Sequence, residues 1–188
     1  YFDYEQALAC AKEQGKPIFV DFTGHGCVNC REMEARVWSD PKVLSRLKND
    51  YVMLALYVDE KTELPENEWY TSEYDGKVKK SIGKQNADFQ ITRFNNNAQP
   101  YYVLLDTNGE LLVEPIAYER SISKFVDFLD EGKEKFEFRP LIGKKPRAFK
   151  EIYNGGKKEK NADIFLNGSI HIIVGILSVV FTLLLLNK

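Results

Sequence analysis

A chain of 188 residues has room for one ordinary domain and an appendage, and is too short for two full-sized domains. Hydrophobic residues at 44%, aromatics at 13% and charged residues at 29% match a folded globular protein and exclude a disordered or fibrous one. With 26 basic against 28 acidic side chains the net charge is -2, which carries no general nucleic-acid signature, and three cysteines are too few for a disulfide-dense secreted scaffold.

The chain starts at Tyr1 without a basic segment leading into an apolar stretch, and reads as a processed or excised product. Tyr4 to Gln14 is built of helix formers and meets Gly15 and Pro17, the stop signals of a short helix. Ile18-Phe19-Val20-Asp21-Phe22 is apolar on both faces, which predicts a strand inside a parallel or mixed sheet. Thr23-Gly24-His25-Gly26 makes a turn. Cys27 to Trp38 then suits a helix with Met33 and Val37 on one stripe, and Pro41 starts another that runs to about Lys48. Tyr51 to Val58 is a second apolar strand. Residues 59–84 are polar, charged and without clear periodicity, and are read as an insertion or long loop, either a lid over a site or the decoration of an edge. A helix near Asn86 to Phe94 leads to strands at Tyr101 to Asp106 and Glu110 to Ile116, joined by the hairpin-like Asp106-Thr107-Asn108-Gly109. Ser121 to Lys135 closes the domain as an amphipathic helix. This order predicts an α/β domain over residues 1–136, with a sheet covered by helices on both sides.

Beyond it the composition changes. Residues 137–168 hold eight Lys/Arg against four Asp/Glu and are read as a basic linker, whereas residues 1–136 carry 17 basic and 24 acidic side chains. Ile170 to Leu186 is a 17-residue apolar run broken only by His171, Gly175, Ser178 and Thr182, which predicts a membrane-spanning helix within 169–188. A buried apolar helix or a non-native tail would have the same composition. Lys157, Lys158 and Lys160 precede the run and only Lys188 follows it, so the positive-inside rule would place the preceding domain in the cytoplasm.

Chemistry is concentrated at Cys27-Val28-Asn29-Cys30. Two cysteines three apart at a helix start can close a small disulfide ring, and the first points its sulfur at unpaired N–H groups and the positive end of the helix dipole, which favours thiolate. Cys27 is therefore the candidate nucleophile and Cys30 the resolving thiol. A closed zinc site needs four ligands, and the chain offers only Cys10, His25 and the remote His171 besides the pair. Cys10, among Ala7, Leu8 and Ala11, reads as a packing residue. His25, two residues before Cys27, either stabilises a thiolate when protonated or is a solvent-exposed loop histidine. Asp21 lies within an apolar strand, where burial raises a carboxyl pKa; the other reading is an edge-strand acid facing water.

Val20-Asp21-Phe22, Cys27-Val28-Asn29-Cys30-Arg31 and Gln99-Pro100-Tyr101 together resemble the thioredoxin superfamily over roughly residues 1–136. Gly26 through Glu34 and the downstream Trp38 most resemble the C-terminal extracytoplasmic domain of the DsbD family of thiol-disulfide interchange proteins. Gly26 stands where many members carry an aromatic residue, a departure at the partner-docking surface. The resemblance implies a thioredoxin-like three-layer sandwich with a central mixed sheet, Asp21 as proton acceptor for Cys30, and Glu34 as a second acid that modulates thiol pKa. A solvated Glu34 paired with Arg31 is the alternative from the residues themselves. It also implies a cis Pro100 facing the disulfide, with Gln99, Pro100, His25 and Gly26 as the residues that meet an extended substrate; the bland reading is a trans proline starting an edge strand.

The function so implied is a thiol-disulfide oxidoreductase acting mainly as a reductant of oxidised extracytoplasmic proteins, fed by a membrane electron-donor domain or protein, with no cofactor beyond its own dithiol. It places the domain outside the cytoplasm, in the bacterial periplasm and membrane-associated, and is preferred here over the charge bias of the tail. A membrane-tethered peptide-binding module without turnover, or an isomerase or oxidase using the same pair, are the alternatives.

Overall fold

The structure is a computed structural model and describes residues 1–138. The expected membrane-spanning segment, and all of the basic linker beyond residue 138, lie outside the described residues. Among the described residues no helix is long and apolar enough to cross a membrane.

Helix α1 spans Tyr4–Gln14, opened by Asp3, whose carboxylate accepts the Gln6 N–H at 2.8 Å, and closed by Gly15 in the left-handed region at φ 62°. Strand β1, Ile18–Thr23, is buried along its whole length. Helix α2, Val28–Met33, runs directly into a π-helical turn over Glu34–Trp38, so the expected helix is present but wider in its second half. Asp40 caps α3, Pro41–Asp50, and Pro41 occupies its first turn. Strand β2 covers Val52–Tyr57.

The segment read as an insertion or long loop contains secondary structure. It holds a two-residue hairpin, β3 (Tyr70–Thr71) and β4 (Val78–Lys79), anchored on the buried Asp88, which accepts from Tyr70 Oη at 3.1 Å and from Ser72 Oγ and lies 3.4 Å from Lys79 Nζ. Helix α4, Ile82–Phe94, contributes Asp88 and starts four residues before the expected Asn86. Gly83 masks that start in the sequence. It sits in the first turn because the helix packs against Val58–Glu60 so tightly that a Cβ there would lie 2.5 Å from the Glu60 carbonyl oxygen.

Strand β5 is Tyr101–Leu105, and α5 is Ile122–Phe138. The strand expected at Glu110 to Ile116 is reduced to two isolated bridges, Leu105 with Leu111 and Tyr102 with Ile116. Leu112 and Val113 both turn into the core, which breaks the alternation of a strand, and Pro115 has no N–H for a ladder. The sheet order is β2-β1-β5, with β1 parallel to β2 and antiparallel to β5.

The mixed sheet has helices on both faces. Phe19 points toward the side of Met33, Val37, Leu47, Phe125 and Leu129, and its ring lies 5.5 Å from Trp38 and 5.4 Å from Tyr102. Ile18, Val20 and Phe22 face the other side, with Ala7 and Ala11 of α1 and the ring of Phe89 of α4. This is the α/β/α layering of a thioredoxin-like sandwich. By the same alternation Asp21 shares the face of Phe19, under α2.

Candidate functional site: a half-exposed disulfide at a helix start

Because β1 and β2 are parallel, their carboxyl ends emerge at the same edge of the sheet, and the loop after β1 meets the residues after β2. Asp59, just past β2, accepts the backbone N–H of His25 at 2.8 Å on one oxygen and that of Gly26 at 3.0 Å on the other. A Cβ on Gly24 would come within 3.1 Å of the same carboxylate, so the glycine lets the acid close on the loop. Burial alone would raise the Asp59 pKa, but the N–H groups of Gly26 and His25 outweigh it and hold the carboxyl below its ordinary value.

That loop delivers Cys27 as the N-cap of α2, its Sγ accepting the Cys30 N–H at 3.1 Å. Cys27 and Cys30 are joined in a disulfide with Cα atoms 5.3 Å apart. Cys27 is half-buried, whereas Cys30 is only 1% exposed. Between them Val28 is 79% exposed and Asn29 is exposed.

Asp21 is 4% exposed and sits on the central strand, which overturns the reading of an edge acid facing water. Its Oδ1 has no hydrogen-bond partner among the described residues. Burial first, and the nearby Glu34 second, push its pKa up to about 7, with Arg31 pulling the other way. Arg31 joins this group together: its guanidinium donates to Thr23 Oγ1 at 3.1 Å and pairs with Glu34 Oε1 at 2.8 Å. Glu34 is thus both a partner of Arg31 and a charge felt by Asp21.

An open cleft of about 470 Å³ lies over the disulfide, lined by Gly26, Cys27, Val28, Asn29, Asp59 and Gln99 among others. The Gln99–Pro100 bond is cis. The Gln99 side chain donates to the Asn97 carbonyl at 2.8 Å and to Gln90 Oε1 at 3.2 Å. His25 points its ring elsewhere: Nε2 lies 2.9 Å from Glu60 Oε2, and the ring stacks on Tyr57 at 4.2 Å. Glu60 is held down to about 2 by the backbone N–H and hydroxyl of Thr62, and by His25. Cys10 is buried and accepts from Tyr1 Oη and Gln14 Nε2, each at 2.9 Å, as a packing residue of α1.

Asp59 and Gln90 escape a reading of the sequence alone. Asp59 had one available signal, an acid directly after an apolar strand that runs parallel to the strand before the cysteines. Gln90 had none, since its place in the helix pattern is that of any polar residue.

A family model described as thioredoxin-like matches residues 1–107. The thiol:disulfide interchange protein DsbD of Pseudoalteromonas atlantica is 43% identical over 47 residues, which is 25% of this chain and 8% of that protein. The match therefore spans less than a tenth of this relative. Among solved structures, a DsbH oxidoreductase superposes with a TM-score of 0.53 at 18% identity, covering 71% of this chain and 84% of that one. A thioredoxin from Thermus thermophilus does so with a TM-score of 0.53 at 22% identity, covering 74% and 90%. At these identities the two structures speak for the fold. With the sandwich, the CxxC pair at the start of α2 and a family match over more than half its length, the chain belongs to the thioredoxin-like family and is similar in sequence to DsbD.

Proposed function

We propose that this chain is a protein-disulfide reductase that passes two electrons from Cys27 and Cys30 to oxidised extracytoplasmic proteins. The observation that carries the reading is the asymmetry of the pair: Cys27 is half-buried in an open cleft at the start of α2, while Cys30 is buried. In the reduced protein the Cys27 thiolate attacks one sulfur of a partner disulfide, forming a mixed disulfide and releasing the other partner sulfur as a thiolate that takes up a proton. Asp21 accepts the Cys30 proton, and the Cys30 thiolate attacks Cys27 Sγ, expelling the second partner sulfur as a thiolate that takes up the proton Asp21 gives back through the solvent. The partner leaves as a dithiol and the Cys27–Cys30 disulfide remains, the state seen in the structure. Gln99 and Pro100 line the path of an extended substrate segment beside Cys27, and Gly26 leaves that wall low.

A dithiol protein or domain reloads the pair, in line with the interchange role that the name DsbD states, and the family resemblance puts that donor at the membrane. The periplasmic, membrane-associated place of the domain is part of the same proposal and rests on the resemblance of Gly26 through Glu34 and Trp38 to the extracytoplasmic domain of the DsbD family. Insulin reduction and the equilibrium of the pair with glutathione test this reading. Turnover lost in Cys27→Ser, with a potential of about -270 to -200 mV, supports a reductant. A potential near about -120 mV, typical of a strong oxidant, would reverse the assigned direction, and undiminished turnover in Cys27→Ser would remove the mechanism.

A further inference from the structure

The side chain of Gln90 is an anomaly in α4. It is 0% exposed on a helix whose neighbouring residues Phe89, Ile91 and Phe94 are apolar, and a primary amide in such a place must satisfy its groups internally. Its Nε2 donates to the Ala98 carbonyl at 2.8 Å, and its Oε1 accepts from Gln99 Nε2 at 3.2 Å. Gln99 Nε2 also reaches the Asn97 carbonyl at 2.8 Å, and Asn96 Oδ1 accepts the Ala98 N–H at 2.8 Å. Helix α4 stops at Asn95, in the left-handed region at φ 49°, and only Asn96–Gln99 separate it from Pro100. Side-chain amides thus shape this short connection, and Gln90 is the one among them rooted in the core.

The connection matters because Gln99 lines the cleft over the disulfide together with Cys27, Val28 and Asn29. Its side-chain nitrogen is committed to the Asn97 carbonyl and to Gln90 Oε1. The Gln99 backbone beside the cis bond is the group that the resemblance assigns to an extended segment, and such pairing does not depend on that segment's side chains.

We propose that Gln90 is a positioning residue for partner binding, its buried amide holding Ala98 and Gln99 so that the Gln99 backbone meets an extended protein substrate beside Cys27. The inference rests on the reductase reading above. It assigns Gln90 no part in the thiol chemistry, and so predicts a split between protein substrates and small disulfides, which need only the Cys27 sulfur.

The test compares insulin with hydroxyethyl disulfide as substrates of the full chain. In Gln90→Met, which keeps the volume and removes the amide, KM for insulin rises about tenfold with kcat little changed, the loss of one hydrogen bond's worth of binding. The rate with hydroxyethyl disulfide and its pH profile stay as in the unsubstituted chain. Gln90→Glu supplies a second readout. Its carboxylic acid, when protonated, can accept from Gln99 and donate to Ala98, so its KM for insulin relative to the unsubstituted chain rises with pH as the acid ionises. Should Gln90→Met fail to fold, this pH dependence decides alone. An unchanged insulin KM in both variants overturns the inference, as does an equal loss on both substrates with an altered pH profile. Absence of turnover with either substrate in the unsubstituted chain would instead remove the reductase reading, and this inference with it.

Discussion

At the scale of single residues the decisive group is Asp21. Strand alternation sets it on the face of Phe19, under the helix that carries Cys30, and burial with Glu34 nearby pushes it to about 7. An unfolded aspartate ionises near pH 4, so between about pH 4 and 7 the folded protein holds a proton that the unfolded chain has released. The carboxyl's contribution to stability is therefore fully present below about pH 4 and lost as pH rises through 7, with an upper limit on the order of 4 kcal/mol. Asp21→Asn should raise the stability of the disulfide form at pH 8, and the gain should vanish toward pH 4 in denaturant titrations. The same substitution should slow insulin reduction on the order of a hundredfold and remove the rate dependence near pH 7. A pH-rate profile identical to that of the unsubstituted chain would take the proton-acceptor role from Asp21. That this acid is buried was legible, because a strand apolar on both faces leaves an interior aspartate no route to water. Its coupling to Arg31 and Glu34 was not, since it depends on how α2 lies across the sheet.

At the scale of elements, the start of α2 is held from outside its own sequence neighbourhood. Asp59 ties the His25 and Gly26 N–H groups to the end of β2, and α4 in turn clamps Val58–Glu60 through the close approach at Gly83. Asp59→Ala should leave these two amides exchanging hydrogen markedly faster, a local loosening readable by NMR without global unfolding. Gly83→Ala forces a methyl against the Glu60 backbone and should cost about 1–3 kcal/mol in chemical unfolding. A neutral result there would mean that α4 can move away from β2 freely. Helices α1 and α3 were legible to their first residue because the signals used, helix formers running to Gly15 and a proline at Pro41, are local, and the structure adds the caps Asp3 and Asp40. The early start of α4 and the loss of the strand at Glu110 to Ile116 were not. In both, long-range packing decides: Gly83 against Glu60, and Leu112 with Val113 turned together into the core.

For the whole molecule, the helix and strand order was enough to reach a mixed sheet covered on both faces, and the cysteine spacing was enough to place the centre of the site. The cleft was not legible. It combines the loop after β1, the end of β2 and the turn before β5, three stretches far apart in sequence that the β2-β1-β5 order brings to one edge. The fold then gives the two sulfurs different surroundings, one reachable and one covered, and the proposed chemistry depends on that difference. Trapping measures it directly: single-serine variants are incubated with oxidised insulin and analysed on non-reducing gels, with mass spectrometry to locate the linkage. Cys30→Ser should accumulate a covalent complex through Cys27, and Cys27→Ser should yield none. A complex formed equally well through Cys30, or no complex with either variant, would contradict the proposed chemistry.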